Sequence, residues 1–301
     1  MIRKYFFLKF LFVFVLIINE NAFADGGLVA FYKLGTKKGS LIEVRNNIVK
    51  SLIKENFKIL GEYNPSKDSN LLVITFTRKD LLDITLKIKD KGLMASVMRI
   101  GLIANNNSVD ISLLNPEYVF YSYLRDNTKK YEIELAQISL DIKMALYTIT
   151  PEFTPFIISS LSDRELKEFR FLIRYPSFDD HIIVGTFKSF KQGLKIIKDN
   201  LQARKGETIK VYELIYEKEK IALFGIGLLD KRKGEANFLD KLGNSHLAAL
   251  PYELILVDTT ASILHGKFRF PLYWSDLSMQ EYRLIYKTPR DIEETMKVIS
   301  K

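Results

Sequence analysis

The sequence has no cysteine. Disulfides, thiol nucleophiles and thiolate metal sites are therefore excluded. It has only three histidines, His181, His246 and His265, and neither H-x-H nor H-x-x-x-H spacing joins them. A metal centre needs three or four converging ligands, so none is expected. Basic residues are plentiful but never concentrated; the densest run, Lys231-Arg232-Lys233, reads as a turn. A nucleic-acid surface needs a basic stripe, so no nucleic-acid partner is expected. Phe224-Gly225-Ile226-Gly227 contains G-x-G but lacks the third glycine and the following helix of a dinucleotide fingerprint. No cofactor is expected.

Long apolar runs are missing too, except at the start. Arg3, Lys4 and Lys9 precede the run Phe10 to Ile18, and Ala22-Phe23-Ala24 follows it. This is the order of a secretory signal peptide, with cleavage expected after Ala24. The run is interrupted and short for a span of roughly 20 residues, so no membrane span is expected after cleavage. Removing residues 1–24 takes away a net +2 and leaves +7 of the formal +9. The expected location is the bacterial periplasm, as a secreted soluble protein.

The remaining residues 25–301 exceed the usual size of one core, which predicts two domains. The first half opens on a strand over 26–36. Ser40 caps a helix in which Leu41, Val44, Ile48 and Leu52 share a face. Lys58 to Tyr63 and Leu71 to Thr77 form a hairpin across Asn64-Pro65-Ser66. A helix over 79–91, a hairpin of 93–104 with 108–114, a loop at Asn115-Pro116 and a helix over 131–147 follow. Thr150-Pro151 and Thr154-Pro155 break the pattern, and Ser162 to Glu165 forms a capping box for a helix through Ile173. The second half repeats the order: a strand at 181–187, a helix at 189–201, a hairpin of 209–216 with 221–229, a short helix at 234–242, a hairpin of 252–258 with 261–270, and a helix after Thr288-Pro289. The expectation is an α+β fold in two tandem domains, 25–149 and 181–301. A partly helical connector over 150–180 joins them. Each domain is a small antiparallel sheet with helices packed on it. Hairpins argue against a doubly wound sheet.

The Gly61 to Tyr118 region, with its LGEYNP and NPEY elements, resembles the bacterial family called domain of unknown function 302. The segment LAALPYELILVD resembles it again, which implies two tandem copies. The resemblance implies a compact fold of the TATA-binding-protein-like type and a tendency to dimerise. It implies no activity. Tyr252 stands where many members carry a cysteine, so a thiol role in relatives does not extend to this chain.

The stretch Asn244 to Trp274 gathers the candidate site: His246, Tyr252, Glu253, His265, Arg269 and Trp274. With the hairpin turn centred on Thr259-Thr260, Leu254 faces His265 and Glu253 faces Gly266. Strand alternation then sets Phe268 and Phe270 on one face, Lys267 and Arg269 on the other. Such aromatics can line a pocket for a small apolar or planar ligand, or a dimer or protein interface. The leading expectation is a non-enzymatic small-ligand-binding or assembly module. One alternative is a metal-independent hydrolase using His246 or His265 with Glu253. Another is a lipid or tetrapyrrole carrier. Neither Ser245 nor Ser262 sits in a nucleophile elbow, so no catalytic residue is assigned.

Overall fold

The structure, a computed structural model, describes residues 27–88, 91–156 and 160–301. The expected signal peptide over 1–24 lies outside the described residues. The fold is α+β, with two antiparallel sheets.

The first half runs β1 (Phe31–Lys38), α1 (Leu41–Lys54), β2 (Lys58–Tyr63), β3 (Leu71–Thr77), α2 (Lys79–Lys87), β4 (Met98–Asn105), β5 (Ser108–Leu114), α3 (Pro116–Leu124), α4 (Asn127–Lys130) and α5 (Glu132–Tyr147). A two-residue strand, β6 (Thr154–Pro155), and α6 (Asp163–Lys167) follow. The second half runs β7 (Ile182–Thr186), α7 (Phe190–Gln202), β8 (Thr208–Tyr216), β9 (Ile221–Leu228), α8 (Glu235–Leu242), β10 (Tyr252–Val257), β11 (Thr260–Ile263), α9 (Gly266–Tyr273), α10 (Met279–Leu284) and α11 (Thr288–Ile299).

Strand order is β2-β3-β4-β5-β1-β6 in the first sheet and β7-β11-β10-β9-β8 in the second. Setting β6 aside, the two orders coincide, with β1 matching β7 and β4 matching β10. The match holds residue by residue. Ser112 pairs with Gly101 and Lys33, and Ser262 pairs with Ile255 and Ile183. Each edge strand carries one extra residue just after this point. A second bulge skips Leu60 in β2 and Val211 in β8. Helices α3 and α9 begin four residues after Ser112 and Ser262, capped by Asn115 and His265. Each cap accepts the backbone N–H two residues on.

Pleating gives each sheet two faces. The outer face of the first sheet packs on α1 and α5 through Val44, Ile48, Leu52, Ile138 and Ile142. The outer face of the second packs on α7 and α11 through Ile197, Leu201, Ile292 and Met296. Each helix pair is tied by one side chain. Ser51 Oγ donates to Ala145 O at 2.6 Å, and Asn200 Nδ2 donates to Ile299 O at 2.8 Å. The inner faces meet each other, and one continuous core spans both sheets. Close approach needs small residues at the seam. A Cβ at Gly61 would collide with the Val211 carbonyl oxygen, and one at Gly101 would lie 2.9 Å from Ala248 N.

Several local expectations are corrected. The last hairpin turns on Asp258-Thr259, because Val257 pairs with Thr260 and Asp258 adopts a left-handed φ of 49°, which aspartate tolerates. The strand stops at Ile263, and residues 266–273 are helical. Phe268, Arg269, Phe270, Leu272 and Tyr273 are all buried, and a strand with one buried face cannot bury consecutive residues. The alternation expected over Lys267 to Phe270 therefore does not occur. Asn115 likewise starts a helix rather than a loop. Helix α2 ends at Lys87 before a 3-10 turn at Gly92–Ser96, and α6 ends at Lys167.

Gly225 should be irreplaceable, since a Cβ there would enter the Tyr212 ring. Gly225→Ala is expected to destabilise the protein by roughly 1–3 kcal/mol, measured by urea unfolding.

Candidate functional site

The six candidate residues fall into separate environments rather than around one cleft. Glu253 lies on the inner face of β10, 1% exposed, and pairs with the equally buried Arg99 of β4. The registers make Arg99 and Glu253 equivalent positions: each stands two residues before the partner of the matching serine. The ion pair therefore sits on the approximate dyad relating the two halves. Tyr212 Oη donates to Glu253 Oε1 at 3.0 Å. Burial works to discharge the Arg99 guanidinium, but the Glu253 carboxylate together with Tyr212, Tyr273 and Tyr123 outweighs it and holds the group above its ordinary value.

Two more equivalent residues meet on the same dyad. Tyr123 and Tyr273 each stand eight residues after their helix cap, and their hydroxyls hydrogen-bond at 2.6 Å. Tyr118 Oη donates across the seam to Leu272 O at 2.7 Å. Burial raises the Tyr123 and Tyr273 phenols, so they stay protonated and serve as donors.

Arg269 is fixed by the backbone leading into β10. Its Nη2 donates to Ala249 O at 2.5 Å and Pro251 O at 2.9 Å. Its guanidinium lies 4.2 Å from the Tyr252 ring centroid, a cation–π contact. Tyr252 Oη donates to Leu264 O at 3.1 Å, and burial pushes its phenol up to about 12. These two residues clamp the entry of β10 to the start of α9.

His246 and Trp274 form an aromatic junction. The imidazole meets Phe31 and Phe156 edge-on at 5.4 and 5.6 Å and lies over Trp274 at 5.4 Å. Phe31 belongs to the first half and Phe156 to the linking segment, so this buried histidine joins three parts of the chain. Its Nε2 is 3.1 Å from Asp276 Oδ1, and that imidazole holds the Asp276 carboxyl below its ordinary value. His265 is the α9 cap, its Nδ1 accepting Lys267 N–H at 3.0 Å. Burial and then Lys267 lower its pKa, which keeps the ring neutral and able to accept.

Glu253 thus takes Arg99 and Tyr212 as partners, and the histidines take Asp276 and a backbone amide. The expected couple of Glu253 with His246 or His265 does not form; the carboxylate beside His246 is that of Asp276. Two surface depressions, of about 520 and 430 Å³, are lined by Arg125, Lys129 and Arg164 in one case and by Lys188, Phe190 and Leu194 in the other. Neither includes any of the six residues. Among the described residues, no group of three or more His, Asp or Glu side chains gathers at metal-binding distance. No helix among them is long and apolar enough to cross a membrane.

Sequence reasoning missed Arg99, Tyr212, Tyr63 and Glu235. The last two form a second polar bridge between the halves: Tyr63 Oη donates to Glu235 Oε1 at 2.8 Å, and Leu228 N–H donates to the same oxygen at 3.2 Å. Burial pushes the Glu235 carboxyl up to about 7, against the opposing pull of those donors. Aligning the halves strand by strand would have set Arg99 against Glu253. Nothing in the sequence marks Glu235 as buried.

No family model matches the chain, and no curated protein matches it. Among solved structures, an uncharacterised conserved protein of the domain of unknown function 302 family from Bacillus stearothermophilus is similar. Its TM-score is 0.32 and its identity 12%, over 41% of this chain and 98% of that protein.

Arg99→Met or Glu253→Met alone is expected to cost about 3–5 kcal/mol, because each strands a buried charge, whereas the double variant should recover most of that loss. Urea unfolding of the four proteins reads the coupling directly. Glu235 gives a pH signature of the opposite sign to a salt-bridged acid. Its folded pKa lies above the ordinary 4.5, so stability should fall as pH rises from about 4.5 to about 7 and level off above. Glu235→Gln should remove that fall and be more stable than the parent at pH 8 by roughly 1–3 kcal/mol, measured by thermal melts across pH.

Proposed function

We propose that the chain is an exported, non-enzymatic assembly module of the bacterial periplasm, acting through its outer surface. The observation that carries this reading is the use made of the six candidate residues. Each is held by partners inside the chain: Arg99 and Tyr212 for Glu253, backbone carbonyls for Arg269 and Tyr252, ring contacts for His246 and Trp274, a backbone amide for His265. Glu253 and His246 spend their chemistry on joining the two halves, and Arg269, Tyr252 and His265 on bracing the second half.

The outside offers apolar contacts instead. Phe171 stacks on Tyr282 of α10 at 5.9 Å, fastening a loop that exposes Leu172 and Ile173, the latter at 96%. Helix α10 adds exposed Met279 and Leu284. Apolar side chains gathered on a surface mark interaction sites more often than isolated ones do. Export is supported by the charge, apolar core and A-x-A order of residues 1–24.

Native mass spectrometry of the protein from its own host tests this reading. The expected result is a chain beginning at Asp25, in a self-associated or protein-bound form, with no small-molecule mass. A bound small molecule lost on Trp274→Ala would overturn the assembly reading in favour of ligand binding. A chain retaining residues 1–24 would overturn export.

A further inference from the structure

The loop after α6 closes on itself. Arg170 Nη1 donates to Tyr175 O at 3.1 Å, and Tyr175 N–H donates to Leu172 O at 2.8 Å. The second bond makes a tight turn with Ile173 and Arg174 at its tip. Turn tips usually carry glycine, proline, asparagine, aspartate or serine. Here a β-branched hydrophobe stands in solvent beside exposed Leu172, and neither side chain adds to the core.

Three rings carry this turn to α10. Phe171 stacks on Tyr282 and meets Tyr175 edge-on at 5.7 Å, and Tyr175 lies 6.4 Å from Tyr282. Tyr282 is the buried side of the helix. The outward side shows Met279 with Arg283 and Gln280 with Leu284, two pairs spaced i,i+4. Exposed Tyr286 and Lys287 continue it.

Charge selects the occupant. Over 170–175 and 279–287 the cations are Arg170, Arg174, Arg283 and Lys287, and the one acid is Glu281. Glu281 is occupied by Ser278, whose N–H and hydroxyl it accepts at 2.8 and 2.7 Å. The acids on either side are taken as well: Asp276 by His246, Asp179 by Arg125 and Asp180 by the Ser177 N–H. Arg174 and Arg283 take no acid as partner among the described residues. The surface is therefore apolar tips set among uncompensated cations. A turn and one face of a six-residue helix are narrow beside the roughly 800 Å² per partner of a stable protein interface. They suit a bilayer, where a few apolar side chains enter the acyl boundary and long cationic ones stay at the headgroups.

We propose that this turn and α10 dock the protein peripherally on an anionic lipid bilayer. Leu172, Ile173, Met279 and Leu284 enter the interface, and Arg174, Arg283 and Lys287 meet the phosphate headgroups. The proposal rests on the outer-surface reading of function and names what that surface takes.

Co-sedimentation of residues 25–301 with phosphatidylglycerol vesicles tests this, with phosphatidylcholine vesicles as the uncharged comparison. The wild type should bind the anionic vesicles about tenfold or more tightly, and added salt should weaken that binding. Ile173→Asp should reduce binding to anionic vesicles about tenfold, and Arg174→Glu or Arg283→Glu about fivefold each. Ile42→Asp, at an exposed position on α1, should leave binding unchanged. Melting temperatures equal to wild type would show that each variant folds. Absence of binding to either vesicle would overturn the proposal, and so would binding that none of the three patch variants weakens. In both cases a protein complex seen by native mass spectrometry would keep the assembly reading. A complex lost on Ile173→Asp would assign the same patch to a protein in place of a bilayer.

Discussion

The structure depends on putting one positive and one negative charge at equivalent places. Arg99 and Glu253 hold the same position in two matching sheets, and the approximate dyad brings them face to face in the core. Two identical residues there would bury either two cations or two anions, each without a counter-charge. Effective penalties for such ions run to several kcal/mol apiece. With opposite signs the dyad becomes an ion pair, and only this orientation of the halves satisfies it. The tyrosine pair on the same axis carries no such constraint. A hydroxyl both donates and accepts, so Tyr123 and Tyr273 can bond to each other while remaining identical.

Breaking the symmetry at one point forces it to break nearby. Glu253 takes a second donor, the Tyr212 hydroxyl, from the strand two places away. The ring must cross the intervening strand, and Gly225 is the residue that lets it pass. In the first half the same two positions are Gly61 and Thr75, and there the Thr75 hydroxyl donates to Gly61 O at 2.9 Å. Gly61 in turn lets the β8 backbone close over β2. One half supplies side chains at the seam and the other supplies room. Glu235 follows a different logic, since it is buried with a phenol and an amide instead of a cation. Its carboxyl therefore favours the protonated form, and the second bridge is the one that responds to pH.

Much of the fold is legible in the sequence. Apolar periodicity located α1, α5, α7 and α11, because a helix lying on a sheet buries one stripe and the stripe recurs every three to four residues. Alternation and turn residues located the hairpins of β2 with β3 and β8 with β9. The repeated order of elements is visible without any repeated letters. Helices α3 and α9 were not legible, because they lie between the halves and are buried nearly all round. Periodicity vanishes from a helix with no solvent face.

The candidate site divides on the same principle. The sequence by itself determined that cysteine chemistry is absent, that a basic stripe is absent, and that the polar and aromatic residues of 244–274 are unusual in company. It also determined local devices whose partners lie within a few residues, such as the Ser40 cap and the Ser162 capping box. Only the tertiary structure decided what those polar residues do. The partner of Glu253 is 154 positions away, and the partner of Glu235 is 172 away. A buried charge is defined by what faces it across the core. That depends on two sheets meeting at a particular angle and register, and no spacing along the chain records it.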